Sequence, residues 1–233
     1  MSAHAEVVTS AAPIPCDLVV LGTGVRPFSD LGAAAGLPVG EAGGLVVDRR
    51  QRTPVAGVWA AGDCVESYHR VSQRFVAIAL GTIANKQGRV AGLNLGGSYA
   101  SFPGVLGTAA TKVCGLEIAR TGLGEAEARD AGFEPVTSII ESTTRAGYYP
   151  DAGKITIKTL AERGSGRLLG AQLVGEEGTA KRVDVFALAL WSGLRVDELS
   201  DVDLSYAPPF APVWDPVLIA GRKTSEAVDA ARE

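Results

Sequence analysis

Two short apolar runs, each ending at a glycine, restrict the fold of this chain more than any other feature. Residues 17–22 (D-L-V-V-L-G) and 58–62 (V-W-A-A-G) do not alternate between polar and apolar side chains. Continuous apolar runs of this length are typical of strands that are buried on both faces of a sheet, as in α/β proteins. Residues 45–47 (L-V-V) predict another such strand. We therefore expect a parallel α/β piece up to about residue 98.

Two helices are predicted in the same part of the chain. Residues 28–36 form a short candidate that Gly36 and Pro38 would end, and residues 75–95 form the longest candidate, which is followed by two glycines. Glycine is preferred just after a helix, and proline cannot continue one.

The pattern changes after residue 98, where residues 101–104 (S-F-P-G) predict a linker. Residues 154–158 (K-I-T-I-K) alternate strictly, which is typical of an antiparallel strand with one solvated face. A glycine turn separates them from residues 168–174, the predicted returning strand of a hairpin. Apolar residues then recur at helical spacing over residues 183–194. This part therefore predicts an α+β domain.

Charge and residue counts argue against several classes of function. The net charge of −4 makes the chain a poor binder of nucleic acids or anionic membranes. Three scattered cysteines without a C-x-x-C pair favour neither a disulfide scaffold nor a zinc site, and the two histidines are far apart. We expect a reducing, cytoplasmic setting. The three cysteines are Cys16, Cys64 and Cys114, and the two histidines are His4 and His69.

The ends of the chain and its longest apolar stretch predict a soluble protein. Residues 1–15 lack the basic start of a targeting segment. The longest apolar stretch, residues 75–84, is half the length of a membrane-spanning helix. The charged residues from Lys223 onward predict a frayed tail.

Residues 22–27 (G-T-G-V-R-P) begin like a dinucleotide-binding G-x-G-x-x-G motif after a predicted strand. Pro27 occupies the place of the third glycine, which normally permits close packing of helix and strand. A tight strand exit is therefore favoured over a phosphate-binding loop.

Residues 59–64 (W-A-A-G-D-C) are the strongest candidate for binding a ligand. Small residues at the carboxyl end of a buried strand let a ligand approach the backbone, and Gly62 permits an unusual dihedral angle. Asp63 then presents a carboxylate that suits a sugar or ribityl hydroxyl. The alternative is a plain Gly-Asp turn in which Asp63 caps the following segment.

The start of the long predicted helix is small and apolar, with Leu80, Gly81 and Thr82 as candidate contacts. A helix N-terminus has unpaired N–H groups and a partial positive charge, which would suit the pyrimidine end of a flavin. The alternative is a packing helix with a polar exposed face.

Several motifs, taken in order, resemble the FAD-dependent pyridine nucleotide-disulfide oxidoreductases. Residues 53–63 resemble the family's second FAD motif, although this chain is one residue shorter between Thr53 and Pro54. Residues 17–27 resemble the last strand of its NAD(P)H domain, and residues 84–97 resemble the helix beside the flavin. This chain also contains segments that resemble landmarks of the family's dimerisation domain, at residues 107–108, 119–123 and 146–150.

The resemblance implies a particular domain organisation. Residues 1–27 would end an NAD(P)H-binding domain and residues 28–98 would form the C-terminal part of an FAD-binding domain. Residues 102–222 would form the dimerisation domain, followed by a flexible tail over residues 223–233. The implied fold is an α/β remnant of the three-layer FAD/NAD(P)-binding domain followed by an α+β dimerisation domain.

The resemblance also narrows the subgroup. Glutathione reductase-like members carry a His-Pro-Thr…Glu dyad, whereas this chain has no histidine after His69. Residues 206–216 (Y-A-P-P-F-A-P-V-W-D-P) are instead similar to coenzyme A-disulfide reductases, NADH oxidases and polysulfide reductases. Tyr206 would then donate a proton or hydrogen bond to the redox cysteine of the other subunit. The alternative is that Tyr206 anchors the proline-rich loop.

The implied activity is electron transfer from NAD(P)H through FAD to a disulfide, polysulfide or oxygen. Asp63 would hold the ribityl hydroxyls, while Gly62 and the backbone of residues 80–82 would approach the flavin. Neither G-x-G-x-x-G fingerprint nor the redox cysteine is found, so the resemblance is to the C-terminal half only. A homodimer through residues 102–222 is expected. Alternatives are a non-catalytic dimerisation fragment, or one half of a split enzyme completed by a separate N-terminal half.

Overall fold

The computed structural model describes residues 5–233, which form two parts of unequal regularity. The first part, up to about residue 98, contains short strands and two helices, and the second contains one five-stranded sheet with helices against it. The elements of the first part are β1 (Ala5–Val7), β2 (Ile14–Cys16), α1 (Asp30–Ala34), β3 (Ser67–Tyr68), β4 (Phe75–Val76) and α2 (Gly81–Leu95). Those of the second are β5 (Ala109–Val113), β6 (Leu116–Gly122), α3 (Glu125–Asp130), β7 (Pro135–Thr143), β8 (Lys154–Glu162), β9 (Leu168–Gly175), a 3-10 turn (Ala180–Arg182), α4 (Val183–Ser192), α5 (Val196–Ser200) and α6 (Pro216–Arg232).

The five-stranded sheet has the order β5-β6-β9-β8-β7, and all its neighbouring strands are antiparallel. The predicted hairpin is confirmed as β8 and β9. In β8, Ile155 and Ile157 are buried, whereas Lys154 and Thr156, which alternate with them, are exposed. This follows because successive side chains of a strand point to opposite faces. Sequence alternation therefore set the face that packs on the core.

The core of the second part lies between this sheet and helices α4, α5 and α6. Helix α4 packs on β6 and β9, and α6 packs on β7, β8 and α5. Phe186, Leu160 and Leu173 are fully buried there, and burial of each such side chain stabilises the fold by about 1.5–3 kcal/mol. The helix predicted from residue 183 is confirmed.

The predicted frayed tail is wrong, because residues 223–232 belong to helix α6. Thr224 and Val228 are buried, and the Thr224 hydroxyl lies 2.6 Å from that of Ser138 on β7. Asp215 caps the start of the helix, where its carboxylate accepts a hydrogen bond from the Val217 amide. The charged residues mark the exposed face of an amphipathic helix rather than a disordered end.

The parallel strands expected in the first part are not formed. Residues 17–22 run without strand pairing, and Leu18, Val20 and Leu21 are exposed. Residues 45–47 and 58–61 make only single bridges, including a parallel bridge between Leu45 and Val65. A strand buried on both faces needs neighbours for its backbone and its side chains. Within residues 5–233 no strand pairs with residues 18–22.

The long helix of the first part begins at Gly81, not at residue 75 as predicted. Phe75 and Val76 instead pair with β3 in a short hairpin. Val76, Ile78 and Leu80 pack against the same small cluster of buried residues, and this spacing of two is that of extended chain. The apolar residues from 75 to 80 therefore precede the helix rather than belong to it. The predicted short helix is confirmed as α1, within residues 28–36.

The two parts are joined by contacts along the predicted linker. Phe102 and Val105 are buried in one cluster with Ile83 and Val90 of α2. The Arg70 guanidinium lies 4.0 Å from the ring centre of Trp191 on α4. No helix within residues 5–233 is both long and apolar enough to cross a lipid bilayer.

Candidate functional site

The Gly62–Asp63 loop lies against the first two turns of helix α2. Gly62 has a φ of +89°, which favours glycine, and its amide donates a hydrogen bond to Oε1 of Gln87 at 2.9 Å. A Cβ atom on Gly62 would lie 3.5 Å from the Cβ of Ala84. That distance is an ordinary van der Waals contact, so the positive φ of the turn, and not lack of space, is what favours glycine here.

Gln87 is the residue that connects this loop to the rest of the first part. It is 1% exposed, and its Nε2 donates to the hydroxyl of Ser67 at 2.8 Å while its Oε1 accepts from Gly62. A buried amide is stable only when its donors and acceptors are paired. The alternative of a packing helix with a polar exposed face does not hold for Gln87, because its side chain is buried with one partner in the Gly62 loop and another in strand β3.

The start of helix α2 has the properties of an anion- or dipole-binding end. Leu80 is the N-cap residue in an extended conformation, and it provides no side-chain cap. Gly81 and Thr82, the first two helical residues, are exposed, and the first amides of a helix have no partner within it. Gly62 lies against Ala84 and Gln87 in this part of the helix, so its exposed neighbour Asp63 follows in the chain near the start of α2.

This arrangement fits the flavin that the motifs imply. It combines an exposed acidic residue, uncapped helical amides and a glycine with a positive φ. Asp63 is suited to accept hydrogen bonds from polyol hydroxyls, and the amides of Gly81 and Thr82 are suited to donate to a ring carbonyl oxygen. With Gly62 and the N-cap residue Leu80, these make up the five residues singled out from the sequence, and their backbones lie at or near one helix end.

A cleft of about 1220 Å³ lies between the segment that precedes α2 and the second part of the chain. Leu80 lines this cleft, whereas the other four predicted cofactor contacts do not. His69 on its wall is buried, with Nδ1 accepting from the amide of Ser72. Burial lowers the pKa of His69, so its imidazole stays neutral at neutral pH. The geometry gives His69 a packing role rather than that of a charged ligand.

Tyr206 lies in the loop between α5 and α6, with its side chain about half exposed. Its hydroxyl oxygen is 3.5 Å from that of Tyr148, in the loop between β7 and β8. This hydrogen bond with Tyr148 raises the pKa of Tyr206, with smaller contributions from burial and from the second phenol. Tyr206 therefore keeps its proton at neutral pH and is available as a donor.

Sequence reasoning did not single out Tyr148. The only sequence signal was its place in the motif A-G-Y-Y-P, over residues 146–150, which marked the domain but not the residue. The two tyrosines are 58 positions apart, so only the fold brings their hydroxyls together.

The three cysteines are all free and do not lie together. Cys64 is half-buried with its sulfur 3.5 Å from the carbonyl oxygen of Ala61, and Cys16 ends strand β2. Cys114 is exposed in the turn between β5 and β6, with a φ of +53°, and does not lie in a strand. Within residues 5–233 no group of His, Cys, Asp and Glu side chains is arranged to hold a metal ion.

Comparison with known families gives two matches that follow the same division of the chain. Residues 3–88 match the model of the pyridine nucleotide-disulphide oxidoreductases, and residues 108–216 match the model of their dimerisation domain. Residues 89–107 lie between the two matches, and the predicted linker, residues 101–104, is within this interval.

Relatives of known name show similarity over nearly all of this chain. The NAD(P)H coenzyme A polysulfide/persulfide reductase of Pyrococcus horikoshii is 41% identical over 217 residues, which are 93% of this chain and 48% of that protein. The coenzyme A disulfide reductase of Staphylococcus epidermidis is 26% identical over 96% of this chain and 51% of its own length. The chain thus spans about half the length of these relatives.

A solved structure is also similar to nearly all of this chain. The NAD-dependent persulfide reductase from A. fulgidus superposes with a TM-score of 0.90 and 42% identity, over 94% of this chain and 40% of the other. The fold described above is therefore the fold of that part of the reductase.

Proposed function

We propose a function for this chain that follows from its family, because it belongs to the pyridine nucleotide-disulphide oxidoreductases. It supplies the flavin-facing end and the dimerisation domain of a flavoprotein. That flavoprotein carries electrons from NAD(P)H to a sulfur substrate. The substrate class that we favour is a disulfide, persulfide or polysulfide of coenzyme A, with oxygen as the alternative acceptor. The observation that carries the proposal is the joint presence of the Asp63–α2 cradle and the Tyr148–Tyr206 pair in one chain.

FAD is the proposed cofactor, with Asp63 on its ribityl hydroxyls and Gly62, Leu80, Gly81 and Thr82 near its ring. When bound, FAD supplies two-electron chemistry between a reduced nicotinamide and a thiol or disulfide. The contribution of this chain is to bind and orient the cofactor. The partial positive charge at the start of α2 would stabilise negative charge on the reduced ring by about 0.3–1 kcal/mol.

Tyr206 is proposed to act on the substrate sulfur in a homodimer. Its exposed hydroxyl remains protonated at neutral pH, so it can donate a hydrogen bond to a thiolate that forms when a disulfide is cleaved. Tyr148 provides a second hydroxyl at the same place. The redox cysteine that this pair would serve is proposed to come from the N-terminal half of the partner subunit.

The exposed apolar residues at positions 18–21 support a further part of the proposal, which concerns the FAD-binding sheet. Leu18, Val20 and Leu21 are 79–84% exposed, and such a run is stable only between neighbouring strands. We therefore propose that more polypeptide completes the FAD-binding sheet, whether joined to this chain or supplied as a separate half. A non-catalytic dimerisation fragment is the competing possibility.

The test compares the chain alone with a chimera that joins it to the N-terminal half of the Pyrococcus horikoshii reductase. Both are incubated with excess FAD, desalted and examined by absorbance spectroscopy and by light scattering. We expect a dimeric chimera that retains about one flavin per chain and is reduced by NADH or NADPH, and a chain that retains little flavin alone. A folded dimeric chimera without flavin, or with flavin that neither nucleotide reduces, would contradict the proposal.

A further inference from the structure

Arg182 makes more polar contacts with distant segments than its place at the end of a short 3-10 turn suggests. Its side chain is 11% exposed. The Nε atom donates to both carboxylate oxygens of Asp215, at 3.1 and 3.3 Å. The Nη1 atom donates to the carbonyl oxygen of Gly178 at 2.6 Å, and Nη2 donates to those of Thr144 and Phe210 at 2.8 and 3.1 Å.

Two of these carbonyl oxygens belong to the loops that carry the tyrosine pair. Thr144 follows strand β7 and lies four residues before Tyr148, whereas Phe210 lies four residues after Tyr206. One guanidinium nitrogen therefore connects the backbone of both loops. A direct hydrogen bond from the amide of Ala146 to the carbonyl oxygen of Pro208, at 3.1 Å, joins the same two loops nearby.

Asp215 fixes the far end of the loop that carries Tyr206. Its Oδ1 atom accepts a hydrogen bond from the amide of Val217 at 2.9 Å, so the carboxylate caps helix α6 while it pairs with Arg182. The pair is almost fully enclosed, with side chains 11% and 12% exposed. A buried ion pair often adds little stability over apolar residues of the same size. Its value here is therefore in fixing the relative position of the segments it joins.

We propose that Arg182 is the positioning residue for the Tyr148–Tyr206 hydroxyl pair. Its planar guanidinium holds the two loops at a fixed separation, and Asp215 orients the guanidinium. This inference rests on the proposed role of Tyr206. Lysine cannot replace Arg182, because a single ammonium cannot pair with a carboxylate and also reach three carbonyl groups in different directions.

The first test measures the position of the tyrosines in the chain itself, without cofactor or activity. Tyrosine labelled with ¹³C at Cζ gives one NMR signal per residue, and the signals of Tyr148 and Tyr206 are identified with Phe variants. In the wild type the Tyr206 phenol should titrate above an ordinary exposed tyrosine. In Arg182→Lys both signals should shift from their wild-type positions, and the Tyr206 titration should fall to the ordinary range.

The matched control is Arg195→Lys, which changes an exposed arginine that pairs with Asp197. It should leave both signals unchanged. If Arg182→Lys does not fold, as judged by circular dichroism, Asp215→Asn replaces it, because the amide oxygen can still cap α6 but lacks the charge that orients Arg182. Unchanged Tyr148 and Tyr206 signals in a folded variant of either kind would overturn the inference.

The second test separates positioning from function in the chimera. We expect Tyr206→Phe to lower kcat by about 100-fold and Arg182→Lys to lower it by about 10- to 100-fold. The double variant should lose no more than Tyr206→Phe alone, since the two act through one hydroxyl. Multiplied losses in the double variant would overturn the inference. If Tyr206→Phe keeps full activity while Arg182→Lys still shifts the NMR signals, the proposed role of Tyr206 fails and the positioning role stands.

Discussion

The amide of Gly62 donates a hydrogen bond to Oε1 of Gln87 at 2.9 Å, and this contact attaches the loop that carries Asp63 to helix α2. The amide nitrogen of Gln87 also donates to the hydroxyl of Ser67, so one buried side chain connects this loop, strand β3 and helix α2. The loop that carries Asp63 is thereby held against the helix. The proposed flavin site would thus depend on a residue that has no predicted contact with the ligand.

Gln87→Leu should weaken both the fold and flavin binding. Leucine leaves the Gly62 amide and the Ser67 hydroxyl without their partner, which costs about 1–3 kcal/mol of the free energy of unfolding. Urea unfolding of the chain measures the first effect, and flavin retained by the chimera after desalting measures the second. Asn85→Leu is the matched control, since Asn85 is exposed on the same helix and should have little effect. Equal losses in the two variants would contradict this account.

Asp63→Asn should lower the affinity of the chimera for FAD without lowering stability. The neutral amide is a weaker acceptor for a hydroxyl than a carboxylate, and hydrogen bonds to charged groups contribute about 1.5–3 kcal/mol. The expected loss is therefore about ten- to 100-fold in affinity, measured by flavin fluorescence on titration. Asp203→Asn changes another exposed acidic residue, in the second part, and serves as the control. An unchanged affinity in Asp63→Asn would remove Asp63 from the site.

The stability of the chain should decrease as the pH falls from about 6.5 towards 5. Burial lowers the pKa of His69 from its ordinary value of about 6.5, so the unfolded chain binds a proton that the folded chain does not. The stabilisation is complete above pH 6.5 and is lost as the pH falls towards the folded pKa, with a slope of at most about 1.4 kcal/mol per pH unit. The carboxyl groups with lowered pKa values titrate below this range; they are Asp48, Glu125, Glu127 and Asp197.

Urea unfolding at pH 5.0 and 7.5 checks this prediction. His69→Gln should reduce the pH dependence, and His4→Gln, which changes the only other histidine of the sequence, should leave it as it is. The same slope in all three proteins would show that His69 accepts a proton in the folded chain as easily as in the unfolded one.

Val228→Ala should destabilise the dimerisation domain, although it lies near the end of the chain. Val228 is 2% exposed on helix α6 against the sheet, and removal of two buried methyl groups costs about 2 kcal/mol. Val113→Ala, at a valine that is 55% exposed on β5, should cost much less. Thermal unfolding followed by circular dichroism gives the comparison. If the end of the chain were a flexible tail, Val228→Ala would leave the unfolding temperature unchanged.

The periodicity of the sequence predicted the second part well. The alternation at residues 154–158 gave strand β8 with its correct buried face, and helical spacing from residue 183 gave α4. The unusual dihedral angle expected at Gly62 is confirmed by its φ of +89°, because the backbone preference of glycine is a local property. The order of the motifs identified the family, which the two matches over residues 3–88 and 108–216 confirm.

The sequence by itself thus determined the elements that depend on local pattern, and tertiary structure decided every feature that depends on a distant partner. Residues 17–22 have the composition of a strand, but no strand of residues 5–233 pairs with residues 18–22. The charged end of the chain is helical, and Thr224 and Val228 are buried there. Tyr148 and Tyr206 meet across 58 positions. Periodicity states which face of an element is apolar, whereas buried polar groups pair with whatever lies nearest in space.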